Sequence, residues 1–440
     1  MISLIKKLIP DWLYKRVQSP YHFLLACLGA LLYRFPSRSI QVVGVTGTKG
    51  KTTTTELVAS ILEEAGMKVA LASTLRFKIG AKSMRNLHKM TMPGRFFMQR
   101  FLRQAVERGC RWAVIEMTSE GVAQWRHLFI DLDALIFTNI SPEHIESHGS
   151  FEKYLQAKLA LGRALANSPK KHRAIIVNKD DARGIDFLSL PIPNKYPFSI
   201  SQATSYETRD DGVSLTFEGV RIISSLRGLF NIYNILAAAS LASAFGISPQ
   251  TIKRGIERVG AVRGRVEFVK IDQRQTTNDQ RHKAQNFDVV VDYAHTPDSL
   301  EKLYQAFDDR RKICVLGNTG GGRDKWKRPE MGRIADSYCE HIILTNEDPY
   351  DEDPLEILNQ MKEGIKNKPF EIVLDRREAI KKAITLAKIS RLNLDKGERK
   401  NIIVLVTGKG TDPYIMGPKG SKTPWDDATV VREELEKVPQ

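Results

Sequence analysis

Ile40-Gln41-Val42-Val43-Gly44-Val45-Thr46-Gly47-Thr48-Lys49-Gly50-Lys51-Thr52-Thr53 decides the fold. The apolar run Ile40–Val45 predicts a buried strand. A tight glycine loop follows, and then a helix over Thr52–Glu64 that stops near Gly66. Strand, glycine loop, Lys-Thr and helix in this order predict a nucleotide phosphate site. Backbone N–H groups of the loop and of the helix N-terminus face an anion, Lys51 reaches the β- and γ-phosphates, and the Thr52 hydroxyl suits Mg²⁺. The usual first glycine is Val45 here, but the remaining Gly-Thr-x-Gly-Lys-Thr keeps the mechanism. ATP binding is therefore expected, with Thr48, Lys49, Gly50, Lys51, Thr52 and Thr53 as its loop residues.

Around that loop the chain alternates short apolar runs with helical patterns. Strands are expected at Trp112–Met117, Ala134–Thr138, Ala174–Asn178, Val289–Val291, Ile313–Gly317, His341–Thr345 and Ile402–Thr407. Helical patterns include Phe96–Arg108, Tyr154–Leu165, Leu300–Phe307, Pro354–Lys366 and Arg376–Ala387. Alternation of this kind predicts an α/β protein with parallel sheets covered by helices. The expected class is a P-loop parallel-sheet ATPase domain followed by a Rossmann-like α/β C-terminal domain. The expected division is a short basic and apolar helical segment at residues 1–38, a central domain at 39–262 and a C-terminal domain at 263–440. Asp272–Asn286 is polar and aperiodic and reads as a surface insertion.

The 440 residues exceed one ordinary core. Apolar and charged contents of 42% and 27% are those of a soluble globular protein. The net charge of +16 favours anionic partners, but no nucleic-acid-binding motif is present, so nucleic acid is not an expected partner. The four cysteines are scattered without zinc spacing, which fits a reduced cytoplasmic compartment. Residues 1–35 mix Lys6, Lys7, Lys15 and Arg16 with apolar side chains. Two readings stay open for them: helices packed on the nucleotide domain, or a basic amphipathic segment in peripheral contact with the inner membrane face.

Other chemistry-bearing residues also sit at strand ends, where parallel sheets place their sites. Glu116 closes one strand and suits Mg²⁺ coordination. His144, in Asn139-Ile140-Ser141-Pro142-Glu143-His144, reads as a metal ligand or as a structural residue. Lys158 lies on a helical pattern and reads alone as a surface lysine. Asp292 and His295 follow a later strand. Gly317-Asn318-Thr319-Gly320-Gly321-Gly322-Arg323 and Gly408-Lys409-Gly410 are two further strand-end loops. Loops on two sheets suggest a cleft in which a transfer reaction is shielded from water.

From about Ile40 to Glu434 these residues resemble the Mur ligase family, the ATP-dependent amide-bond ligases of peptidoglycan synthesis. The resemblance is nearest to the UDP-N-acetylmuramoyl-tripeptide synthetase branch, which adds the third stem-peptide residue. It implies a metal set of Thr52, Glu116, His144 and a carbamylated Lys158, with Lys51 as the catalytic cation. It assigns Asn231, Asn234, Arg265, Asp292 and Tyr293 to the nucleotide. Thr91, Pro93, Ser119, Gln124, Arg126 and Arg323 would hold the muramoyl-dipeptide substrate. Asp375 and Arg376-Arg377-Glu378-Ala379-Ile380 match a further signature. The implied reaction phosphorylates the D-Glu γ-carboxylate, and the incoming amine then attacks the acyl phosphate.

Two departures shape the expectation. Glu347-Asp348-Pro349-Tyr350 stands where the diaminopimelate-type motif is Asp-Asn-Pro-Arg. Tyr350 thus replaces the arginine that binds the distal carboxylate. Asp348 and Asp412, with Gly408 nearby, then favour an ammonium-ended side chain, L-lysine before ornithine. Only about 40 residues precede the loop, so the resemblance implies that the separate UDP-gripping domain is lacking. Glu120 also replaces a usual histidine. Two alternatives follow: a ligase acting on a non-UDP or lipid-linked muropeptide, or an ATP-binding module without catalysis. Folyl- or cyanophycin-type ligation fits Ser119, Gln124 and Arg126 less well.

Overall fold

The computed structural model describes residues 11–142, 148–209, 211–270, 287–322, 324–392 and 402–437. His144, Arg323 and all of the expected 272–286 insertion lie outside them. The described residues fall into two compact units, one built from 11–142, 148–225 and 229–260, the other from 226–228 and 261–437.

The first unit is organised by an eight-stranded sheet of β1 (Gln41–Thr46), β2 (Val69–Ala72), β3 (Arg76–Ile79), β4 (Lys82–Arg85), β5 (Trp112–Glu116), β6 (Ala134–Phe137), β7 (Ala174–Asn178) and β8 (Asn194–Phe198). Their order is β4-β3-β2-β5-β1-β6-β7-β8. Strands β2, β5, β1, β6, β7 and β8 run parallel, while β3 and β4 add an antiparallel hairpin at one edge. Val42, Val43 and Val45 are fully buried because helices cover both faces of β1. Beside it lies a three-stranded antiparallel sheet of β9 (Tyr206–Arg209), β10 (Gly212–Phe217) and β11 (Val220–Ser224). Neither antiparallel piece was expected from the apolar runs, since β4 and β9 are almost wholly exposed and carry no buried stripe.

Six helices of this unit matter for the site: α1 (Asp11–Leu32), α2 (Lys51–Glu64), α3 (Arg95–Glu107), α4 (Ser119–Ala123), α5 (Phe151–Ala166) and α6 (Leu229–Ala244). From residue 11 onward the N-terminal segment forms one α-helix, Asp11–Leu32, which continues through Pro20. Helix α6 is buried almost all round, from Asn231 to Ala242, and its small side chains let it lie against α2. Gly255 closes on α2 from another side, where a Cβ would stand 2.5 Å from the Ile61 Cα.

The second unit holds a six-stranded sheet ordered β12-β13-β17-β14-β15-β16. Its strands are β12 (Glu267–Val269), β13 (Asp288–Asp292), β14 (Arg311–Leu316), β15 (His341–Leu344), β16 (Phe370–Ile372) and β17 (Ile402–Thr407), parallel except for β12. A hairpin of β18 (Tyr414–Met416) and β19 (Lys422–Pro424) follows. Helices α7 (Lys327–Tyr338), α8 (Arg376–Leu392) and α9 (Asp427–Lys437) cover this sheet. One expectation is corrected here. Cys314 on β14 and Cys339 at the end of α7 are not separate thiols but joined as a disulfide, because strand and helix bring their Cα atoms to 6.1 Å. Cys27 and Cys110 are free.

Candidate functional site

In the first unit the loop after β1 is held open by its neighbours. The Thr48 N–H donates to the Asn139 carbonyl (2.8 Å), and the Lys49 N–H to Asn139 Oδ1 (2.9 Å). The Thr138 hydroxyl and the Asn139 amide close on the Lys49 carbonyl at 2.7 and 3.1 Å. Gly47 and Gly50 have φ of 150° and 81°. A side chain at Gly47 would strike Thr138, and one at Gly50 would strike Asn234, so the loop needs glycine for space as well as for conformation. Lys51 folds back, donating to the Gly47 and Thr48 carbonyls at 3.0 and 2.8 Å.

Lys158, left open by sequence as a surface lysine, is 1% exposed. Its ammonium donates to the Gly47 carbonyl (2.7 Å) and lies over the Tyr154 ring. Tyr154 in turn bonds the Thr48 hydroxyl at 3.0 Å. Helix α5 thus delivers both residues to the loop, because positions 154 and 158 share a helical face.

Glu116 ends β5 beside β1, in register with Val45. Its buried carboxylate accepts from the Thr52 hydroxyl at 3.1 Å to each oxygen and from the Thr74 N–H at 2.8 Å. The Thr74 hydroxyl meets that of Thr91 at 2.8 Å. A continuous path Thr52–Glu116–Thr74–Thr91 therefore links the phosphate loop to the expected substrate segment. Sequence reasoning passed over Thr74, which only the turn between β2 and β3 brings in. The buried carboxylate and hydroxyl are hard oxygen donors that fit Mg²⁺. Lys158 as a cation does not fit and would join a metal only once carbamylated.

Ser119, 3% exposed, opens α4 and meets His148 Nε2 at 3.1 Å. His148 too was missed, because its distance from Ser119 in sequence hides the contact. Trp125 in the left-handed region (φ 58°) turns the chain so that Gln124 and Arg126 meet, Arg126 donating to Gln124 Oε1 and to the Met92 carbonyl. Met92 is buried between Thr91 and Pro93, so Arg126 pins the Thr91–Pro93 segment. Burial holds the Arg126 guanidinium below its ordinary pKa. Asn231 and Asn234 sit behind the loop. The Asn234 amide donates to Asn231 Oδ1 (2.9 Å), and its carbonyl accepts from Thr54 (3.3 Å). They support the loop from the α6 side.

In the second unit the Arg265 guanidinium lies 4.6 Å over the Tyr293 ring. Asp292 accepts from the Val266 and Ala294 N–H groups, both at 2.7 Å. These three residues form one corner at the end of β13. The acids of the expected amino-acid pocket have a partner within the chain. Lys409, 1% exposed at its side chain, donates to Asp348 (2.9 Å), to Asp412 (2.8 Å) and to the Tyr414 carbonyl (2.6 Å). Asp348 also accepts from the Met416 N–H at 2.7 Å. The two acids are thus already matched by a cation of the chain itself, which a reading by residue type could not foresee. Glu347 adds a third carboxylate. It accepts from Thr319 at 2.7 Å, packs against Gly408, and its other oxygen has no hydrogen-bond partner among the described residues. Burial and the neighbouring Asp348 push the Glu347 carboxyl above its usual range. Tyr350 adopts φ 54° and faces Gly321. Asp375 accepts from the Glu378 N–H and starts α8. Arg376 is a scaffold residue, bonded to Asp427 at 2.8 Å through each of two nitrogens and to the Thr407 carbonyl at 2.8 Å.

Comparison with known proteins meets this geometry from outside. The Mur ligase middle domain matches residues 45–242, and the Mur ligase glutamate ligase domain matches 278–410. A UDP-N-acetylmuramoyl-L-alanyl-D-glutamate–2,6-diaminopimelate ligase of Syntrophomonas wolfei is 36% identical over 427 residues, covering 93% of this chain and 81% of that protein. Its counterpart from Halalkalibacterium halodurans is 33% identical over 401 residues, covering 89% and 77%. A solved structure of a ligase of that name superposes with a TM-score of 0.58 at 26% identity, covering 90% of this chain and 78% of that one. The ADP complex of Mycobacterium tuberculosis folylpolyglutamate synthase shares the fold, with a TM-score of 0.72 at 15% identity over 95% and 94% of the two chains. With both family domains in order and relatives a third identical over four-fifths of their length, the chain belongs to the Mur ligase family, the ATP-dependent amide-bond ligases, and within it resembles the branch that extends UDP-MurNAc-L-Ala-D-Glu.

Proposed function

We propose that the protein joins a diamino acid to the D-Glu γ-carboxylate of UDP-MurNAc-L-Ala-D-Glu, with ATP converted to ADP and phosphate. The observation that carries this reading is the hydrogen-bonded path from Thr52 through Glu116 and Thr74 to Thr91. It couples the phosphate loop to the segment assigned to the acyl substrate. Thr48 to Thr53 would cradle the phosphates, and Lys51 would leave its carbonyls for the transferring phosphoryl group. Ser119, Gln124 and Arg126 would orient the dipeptide, with His148 fixing the Ser119 hydroxyl. Arg265, Asp292 and Tyr293 would contribute to the nucleotide. Thr52 and Glu116, with His144 and a carbamylated Lys158, would hold Mg²⁺, which when bound neutralises phosphate charge. Arg323 and Gly408 are assigned to the substrate side on their loops.

The acceptor we infer is L-lysine, with ornithine second. Tyr350 offers no cation to a distal carboxylate. Asp348 and Asp412 are both held by Lys409. The acceptor reading therefore rests on Tyr350, which stands where a diaminopimelate-type site has arginine and so favours a side chain without a distal carboxylate. The test is ATP-dependent phosphate release with Mg²⁺ and UDP-MurNAc-L-Ala-D-Glu, offering lysine, ornithine and diaminopimelate in turn. Release with lysine is expected. Release with diaminopimelate alone overturns the acceptor assignment, and silence with all three overturns the UDP-substrate reading in favour of a lipid-linked or other non-UDP muropeptide.

A further inference from the structure

Helix α1 has two unlike faces. Ala26 and Ala30 are buried, and Gly29 packs closely against Phe96 of α3. On the other face Tyr21, Leu24, Leu28 and Leu31 recur at helical spacing. With Phe23 and Leu32 they are 46–64% exposed. Scattered apolar residues on a surface need no explanation, but Tyr21, Leu24, Leu28, Leu31 and Leu32 fall on one face and form a continuous stripe. Phe23 lies off that stripe, toward the body of the unit, its ring 6.2 Å from that of Trp125 and 6.0 Å from that of Phe129.

By sequence, residues 1–40 contain Lys6, Lys7, Lys15, Arg16, Arg34 and Arg38 against the single acid Asp11. Arg38 is paired with Asp131, while Arg34 stands exposed beyond the end of the helix. At the C-terminal end of α1 a cavity of about 340 Å³ opens between the helix end and α3, lined by Leu32, Arg34, Arg100, Arg103 and Glu107 among others. Three guanidinium groups bordering one cavity beside an apolar stripe match the order of a bilayer surface, phosphate above and acyl chain below. Among the described residues no helix is long and apolar enough to cross a membrane, so the arrangement suits lying on one. A second copy of the chain is the poorer occupant, since pairing two such helices would bring like charges together.

We propose that α1 docks on an anionic phospholipid surface, with Tyr21, Leu24, Leu28 and Leu31 entering the boundary between headgroups and acyl chains and Arg34 and Arg100 taking lipid phosphates. None of these residues belongs to the ligase machinery, so the proposal stands apart from the acceptor assignment. The experiment is co-sedimentation of the full chain with vesicles of phosphatidylcholine alone and of phosphatidylcholine mixed with phosphatidylglycerol. The variants are L24E/L28E/L31E and R34E/R100E, with circular dichroism and ATP binding as checks of folding. Wild type is expected on the anionic vesicles and not on the neutral ones. Each folded variant is expected to bind at least about tenfold more weakly. Absence from anionic vesicles, equal binding to neutral ones, or full binding by the folded triple variant overturns the proposal. A dimer in sedimentation velocity that the triple variant abolishes, without vesicle binding, assigns the stripe to a second copy and equally overturns it.

Discussion

The phosphate loop of the first unit and the ionic cluster of the second use buried polar groups in opposite ways. At the loop, Lys51 and Lys158 donate to backbone carbonyls of Gly47 and Thr48. A carbonyl holds an ammonium in place without cancelling its charge as a carboxylate does. In the second unit Arg376 faces Asp427, and Lys409 faces Asp348 and Asp412. There each cation meets carboxylates at 2.8–2.9 Å inside a dry interior, which cancels charge and fixes backbone. The two kinds of buried cation thus differ in the groups that hold them, not in residue type or burial.

The comparison breaks most readily at Arg376. Its substitution by Met leaves Asp427 buried without its cation. A loss of about 3–5 kcal/mol of stability is expected, read by chemical denaturation, and the double variant R376M/D427L should recover a large part of it. If R376M unfolds no earlier than wild type, the pair is not scaffolding. At the loop the reverse holds. Lys51→Ala is expected to lower the rate of ATP-dependent phosphate release by about a hundredfold or more while the denaturation midpoint moves little. Unchanged turnover would remove the phosphate-site reading.

A third expectation concerns a buried base without a charged partner. Burial pushes His127 down to about 4 from its ordinary 6.5, and its Nδ1 has no partner among the described residues. Because the folded pKa is depressed, the unfolded chain takes up the proton first as pH falls. The contribution of neutral His127 is therefore complete above pH 6.5 and is lost progressively between about 6.5 and 4. The loss is on the order of 3 kcal/mol. His127→Phe should flatten the stability profile over that window, and a profile of undiminished slope would assign the acid sensitivity elsewhere.

Much of the fold was legible because parallel strands buried on both faces read as continuous apolar runs. Ala174–Asn178 and Ile402–Thr407 have the bounds that their runs suggest. The edge hairpin Arg76–Arg85 and the sheet from Tyr206 to Ser224 were not legible: β4 and β9 are exposed and set by pairing, and buried β10 interleaves Gly212, Ser214 and Thr216 with its apolar residues, so no continuous apolar run marks it. At the site, residues on one continuous motif were found, and Lys51, Thr52 and Glu116 lie together. Thr74, His148 and Tyr154 escaped because nothing in their local sequence marks them, and only contacts with residues distant in the chain bring them to the site. The Lys409 cluster escaped for another reason. Sequence counts charges, but only the fold says which of them already face each other.

That last point gives the finest test. If Asp348 were a free acid awaiting an ammonium, Asp348→Asn would weaken lysine alone. In the structure Asp348 holds Lys409 and the Met416 N–H, and the Tyr350 N–H donates to the Met416 carbonyl at 3.1 Å. The turn Glu347–Tyr350 and strand β18 are therefore one hydrogen-bonded piece, and charge and shape at this corner change together. The double variant D348N/Y350R removes one carboxylate and adds a cation at the turn. We expect the KM for lysine to rise by about tenfold, roughly 1.4 kcal/mol, and turnover with diaminopimelate to appear or increase. Lys409→Met separates the two causes. It leaves all three acids in place and deletes their cation, so a pocket that selects by charge should keep its preference for lysine while losing stability. If K409M instead loses lysine selectivity with its stability intact, selection rests on the position of the β18 backbone, and the charge of the acids is incidental to it.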